Sequence, residues 1–342
     1  MHSVIYRLYK SNLSIVLIGL PIIIFLLWLG QFNKEVVNVT IENPSTLFGM
    51  FKSSLTYVWL DQTVAMVIIV LSALLVNFII NKEEFFGKHT FIPAFSYILV
   101  MSLFKEYQSL HPIVISNFFL ILALGRLFQI HRSEDARRKI FDSSFFIGIS
   151  ALFYEYYIGF FLLIWITLIV LRPFIWREHV LGFIGLILPI LFLFLYQFLT
   201  FDSIEEWTTE VVAFFVPREQ YVEGFVSASL GKKIVGVGIA LVLSLLGASS
   251  FLKRQKNSSL RFKRLSNVVL FLGLFVVVIT ALHVAFRYES PTVFMSSVFA
   301  AFLVSFYFFF AKRQKFAAFV FYGITLLVVV NIYYDFVKNI IT

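Results

Sequence analysis

The sequence predicts an all-α fold: a polytopic transmembrane helical bundle of about eleven spans, N-terminus inside and C-terminus outside, with two interfacial helices in outer loops. Three observations predict it. Hydrophobic residues make up 60% of the 342-residue chain and charged residues only 14%, where an ordinary soluble domain is about a quarter charged. Apolar runs recur from Ser11 onward, many near the ~20 residues that a bilayer-spanning helix needs. Lys and Arg gather on alternate connections between those runs. Together they exclude a soluble protein, a disordered chain and a nucleic-acid binder. With no cysteine in the chain, disulfides, thiolate catalysis and iron–sulfur clusters are excluded as well. The chain reads as a single multi-pass integral membrane domain over 1–342.

The spans run approximately 11–30, 63–80, 91–104, 112–126, 141–154, 157–171, 180–200, 234–252, 266–285, 293–311 and 316–334. Arg7 and Lys10 ahead of the first run resemble a signal peptide, but the apolar core is long and no small-residue cleavage site follows Gly30; a retained anchor is expected. The third to sixth runs are short for a full crossing and suit tilted helices, or partial helices shielded by neighbours. With the N-terminus inside, 20 Lys and Arg fall on the inner side and 8 on the outer, while 6 acidic residues fall inside and 13 outside. The net charge of +9 thus divides into +14 inside and −5 outside, the asymmetry of a positive-inside topology.

Two connections, about 31–62 and 201–233, are long and lie on the outer side. In the first, Pro44-Ser45 opens a pattern with Leu47, Phe51, Leu55 and Val58 on one face and Lys52 and Thr56 on the other. In the second, Ser203 and Glu206 form a capping box. Ile204, Trp207, Val211, Phe214 and Phe215 then make an apolar stripe opposite Glu205, Glu206, Thr209 and Glu210, and Pro217 ends it. Both patterns predict helices lying along the membrane surface. They serve either as seals for the bundle or as the roof of an outward-facing cavity open to a lipid-borne substrate.

Ionisable residues in or beside spans are functional candidates because the bilayer makes them costly. Asp61 stands at the outer mouth of the second span, and Glu155 in the tight turn Tyr154-Glu155-Tyr156-Tyr157. Arg126 and Asp142 face each other across a short basic connection and suit a structural ion pair. His283 is alone in its span, and Asn77, Gln197 and Asn331 suit interhelical hydrogen bonds. No phosphate-binding loop, dinucleotide fingerprint, HExxH or nucleophile elbow appears. The scatter of the six histidines argues against an iron or zinc centre. No metal or other cofactor is expected, and a divalent cation, though compatible with the chemistry below, is not indicated by any residue pattern.

From Phe141 to Phe194 a helix carrying small residues ends in the Glu155 turn, and a second helix returns to Arg172-Pro173. Trp176-Arg177-Glu178 follows, then a helix with Gly182, Gly185 and Pro189. This cadence resembles the central helices of the GT-C fold, the polytopic glycosyltransferases that use polyprenyl-phosphate sugars. The whole chain also resembles a family of bacterial polytopic integral membrane proteins to which no activity is assigned. The GT-C resemblance implies a catalytic carboxylate in the first outer loop, where that fold often has an acidic pair; here the loop offers isolated Glu35, Glu42 and Asp61. It implies Asp61 or Glu42 as base, Glu155 as an acceptor- or metal-positioning residue, and Arg218, Lys232 or Arg287 on the lipid phosphate. Three readings stay open: a transferase using a polyprenyl-phosphate sugar, a non-catalytic membrane subunit of a cell-envelope assembly, and a transporter. The expected partners are membrane lipids, the polyprenyl-phosphate sugar and other membrane subunits, with no nucleic acid.

Overall fold

The computed structural model describes residues 15–28, 46–55, 57–104, 107, 109–132, 135–172, 174–200, 203–215, 230–285, 295–311 and 313–341. Among them the chain is helical, with no strand. The α-helices are α1 (Ile15–Trp28), α2 (Thr46–Ser53), α3 (Val58–Lys82), α4 (Ile92–Ser102), α5 (Pro112–Phe128), α6 (Arg137–Phe153) and α7 (Phe161–Leu171). There follow α8 (Trp176–Thr200), α9 (Ile204–Phe215), α10 (Leu230–Lys256), α11 (Leu260–Ala285), α12 (Ser297–Phe310) and α13 (Gln314–Ile341). Each falls on an expected span or an expected surface helix. Three segments, Val58–Lys82, Trp176–Thr200 and Leu260–Leu282, are long and apolar enough to cross a membrane.

One boundary is corrected. Val58 was expected to complete the apolar face of the first loop helix, yet α2 ends at Ser53 and Val58 opens α3. The Leu55 amide donates to the Lys52 carbonyl in the turn between them. The apolar spacing runs on through this corner, so sequence periodicity alone joins two helices that the backbone separates. The first long connection, expected over about 31–62, therefore ends before Val58.

The short helices have a physical role. At about 1.5 Å per residue, the 11 residues of α4 rise roughly 17 Å, about half a hydrocarbon core of ~30 Å. All 11 are buried, so α4 is a central half-length helix enclosed by others, while α8 leaves Phe183, Leu191, Phe192 and Leu195 about half exposed. Long apolar helices with half-exposed apolar side chains suit association with a membrane.

Small residues let the helices approach closely. A Cβ on Gly185 of α8 would sit 2.7 Å from the Phe141 carbonyl oxygen of α6, and one on Gly148 of α6 would sit 2.6 Å from the Leu186 carbonyl oxygen of α8. The α5–α6 crossing is clasped by Ser116 and Ser150, each hydroxyl donating to the other's carbonyl at 2.9 and 2.8 Å.

Contacts between helix termini sort into two ends. At the first, Trp28 Nε1 donates to Ser102 Oγ, the Leu110 amide to Asp61, and Asn117 Nδ2 to Ser297 Oγ. At the second, Arg261 pairs with Glu83 at 3.1 Å and Arg126 with Asp142 at 3.5 Å. Here Phe85 meets Phe128, Phe262 and Phe302 edge-on, and Phe86 stacks on Phe309. The Asn81 side chain also grips both backbone polar groups of Thr90, closing the loop after α3. These are called the Asp61 end and the Glu83 end below.

Candidate functional site

Asp61 lies in the first turn of α3, where its carboxylate is 9% exposed. Burial of a charge is tolerated when it is paired and hydrogen-bonded, and both oxygens have partners. Lys52 Nζ donates to Oδ1 at 2.5 Å, and the Leu110 amide donates to Oδ2 at 3.0 Å. Lys52 stands in the last turn of α2, where the helix dipole favours a cation. Its side chain remains 39% exposed. The pair ties the loop helix to the bundle.

Next to Leu110, His111 is 2% exposed and caps α5, its Nδ1 accepting from the Ile113 amide at 3.2 Å. That acceptor role leaves the proton on Nε2. Burial, and then the Lys52 charge, pushes the imidazole down to about 3, so the ring is neutral. Tyr107 packs against it edge-on and is itself fully buried.

Behind this lies a buried polar chain. Tyr157 donates its hydroxyl to Asn117 Oδ1 at 2.6 Å, and Asn117 Nδ2 donates to Ser297 Oγ at 2.8 Å, joining the turn after α6 to α5 and α12. Tyr154 packs edge-on against Tyr157, with ring centres 5.9 Å apart. Tyr107, Tyr154 and Tyr157 are fully buried at the Asp61 end.

Glu155 opens the 3-10 turn Glu155–Phe160 and is half-buried. It shares the Asp61 end: Phe214 of α9 forms a buried cluster with Leu152, Ile190 and Leu193, and both Leu47 of α2 and Ile158, from the turn that Glu155 begins, pack against that cluster. The two loop helices therefore meet on one apolar cluster. Glu42, Arg218 and Arg287 lie outside the described residues; Lys232 stands in the first turn of α10, its side chain outside them. The expected Arg126–Asp142 pair forms. Among the described residues, no cluster of three or more His, Asp or Glu is placed to hold a metal ion.

Sequence reasoning missed Lys52 and His111. Lys52 read as one polar residue on a wet face, and its meeting with Asp61 depends on the α2–α3 corner that the apolar spacing concealed. Comparisons with protein-family models, curated proteins and solved structures find no match to this chain.

Proposed function

We propose that this is a multi-pass protein of the bacterial cytoplasmic membrane, with about eleven spans, its Asp61 end outside and its basic Glu83 end inside. The terminal contacts support that layout: each joins helix ends that the positive-inside reading puts on the same side. At the outer end the protein acts as a GT-C-like glycosyltransferase on a polyprenyl-phosphate sugar. One observation carries this reading: a buried carboxylate at the lip of a span, Asp61, sits under an interfacial helix that supplies its countercharge.

In the reaction the acceptor hydroxyl oxygen attacks the anomeric carbon, and the bond from that carbon to the phosphate oxygen breaks. The lipid phosphate leaves with the electron pair, and Asp61 takes the hydroxyl proton as general base. Cations on the departing phosphate stabilise the charge that develops there; Arg218, Lys232 and Arg287 remain candidates alongside those described. Glu42 is the alternative base, and Glu155 a residue that positions the acceptor.

A second reading, a non-catalytic subunit of an envelope assembly, is favoured by the pairing of both Asp61 oxygens. Purified protein given polyprenyl-phosphate sugars separates the two. The transferase reading expects binding and transfer, with transfer lost in Asp61→Asn or Glu42→Gln. Identical behaviour in both variants would leave the subunit reading.

A further inference from the structure

The Lys52–Asp61 pair sits where an anionic lipid headgroup would arrive. Lys52 is held by a buried carboxylate, yet its side chain is 39% exposed. The surface around it is apolar and aromatic: Met50 is 45% exposed, Phe51 41%, Tyr57 62% and Trp59 49%, with Tyr57 and Trp59 stacked. Aromatic residues with a lysine among them mark the headgroup level of a bilayer. Below them on α3, Val67, Leu71 and Phe78 are exposed at spacings of four and seven, one continuous apolar track down the helix. Cation, aromatic collar and apolar track together match an amphiphile with an anionic head and a long single tail.

We infer that Lys52 is the residue that captures the phosphate of the polyprenyl carrier, exchanging its bond to Asp61 for one to the phosphate. This deepens the transferase reading and rests on it. Lysine binds phosphate as a compact point charge, and one ammonium cannot fully serve a carboxylate and a phosphate in the same geometry. Arrival of the lipid therefore does two things at once: it holds the phosphate, and it releases the Asp61 carboxylate to act as base. The empty site keeps the buried carboxylate neutralised; the loaded site uncovers it. The Leu110 amide still holds Oδ2 in place during the exchange.

The exchange makes a signed prediction. Lys52 and Asp61 compete with the lipid, so removing the carboxylate must improve binding while abolishing transfer. The test measures undecaprenyl phosphate binding by native mass spectrometry, with the full chain in nanodiscs of zwitterionic lipid. Lys52→Gln is expected to bind about ten-fold more weakly or worse, the loss of one charged hydrogen bond. Lys52→Arg keeps the affinity within roughly three-fold because the charge remains. Asp61→Asn binds roughly several-fold more tightly, with the competing charge gone. The double variant Lys52→Gln with Asp61→Asn leaves no lone buried charge and still binds as weakly as Lys52→Gln, which separates lost capture from lost folding. Phosphatidylglycerol, equally anionic but two-tailed, competes poorly.

Wild-type affinity in Lys52→Gln, weaker binding in Asp61→Asn, or equal competition by phosphatidylglycerol would each overturn the inference; where the wild type still transfers sugar, the transferase reading survives them. Failure of the wild type to bind undecaprenyl phosphate would overturn both.

Discussion

At the scale of single residues, the Asp61 end is governed by groups that pair because they are buried. His111 is the clearest case. Its imidazole, ordinarily near 6.5, is held down at about 3 by burial and by the Lys52 charge. Above pH 6.5 both folded and unfolded chains carry it neutral, and stability is independent of this group. As the pH falls from 6.5 towards 3 the unfolded chain takes up a proton that the folded chain refuses, so stability is lost over that window. Detergent-solubilised protein is expected to lose about 2 kcal/mol between pH 7 and pH 5 from this residue alone. Thermal melts of His111→Asn, which keeps a capping acceptor, should show that slope removed. The Tyr157–Asn117–Ser297 chain gives a second prediction. Tyr157→Phe strands the buried Asn117 oxygen and should cost about 1–3 kcal/mol, read as a drop in melting temperature with the wild-type helix content retained.

At the scale of elements, close helix approach decides which glycines matter. Gly185→Ala drives a Cβ to 2.7 Å from the Phe141 backbone oxygen, which must push α6 and α8 apart. That overpacking is expected to cost about 1–3 kcal/mol. Gly323→Ala of α13 meets nothing within 4 Å and should be neutral or slightly stabilising. Equal melting temperatures for these two variants would contradict the α6–α8 packing. The positions of the helices were legible in the sequence because uninterrupted apolar runs announce them, down to the half-length α4. The α2–α3 corner was not legible, since Leu55 and Val58 continue the spacing of Leu47 and Phe51 across a turn that no Gly or Pro marks. The candidate site was legible to the same degree: Asp61 and Glu155 stood out as charges at the edges of apolar runs. Lys52 did not, because its role comes from the corner, and His111 did not, because a histidine beside a proline carries no sign of its burial.

At the scale of the whole molecule, the proposed function depends on which end faces out. On the proposed topology the outer connections carry −5 and the inner ones +14 of the net charge of +9. On that topology each contact at the Asp61 and Glu83 ends joins groups assigned to one side. A lipid-linked donor used at the outer leaflet requires that Asp61, Lys52 and both loop helices lie outside. The chain contains no cysteine, so single introduced cysteines can be labelled without background. The decisive measurement is labelling of intact cells with a membrane-impermeant maleimide, comparing Ser54→Cys beside Lys52 with Ser258→Cys in the basic α10–α11 turn. Ser54→Cys is expected to react in intact cells and Ser258→Cys only after the membrane is opened. The reverse pattern would put the Lys52–Asp61 pair on the wrong face of the membrane and contradict the proposed function.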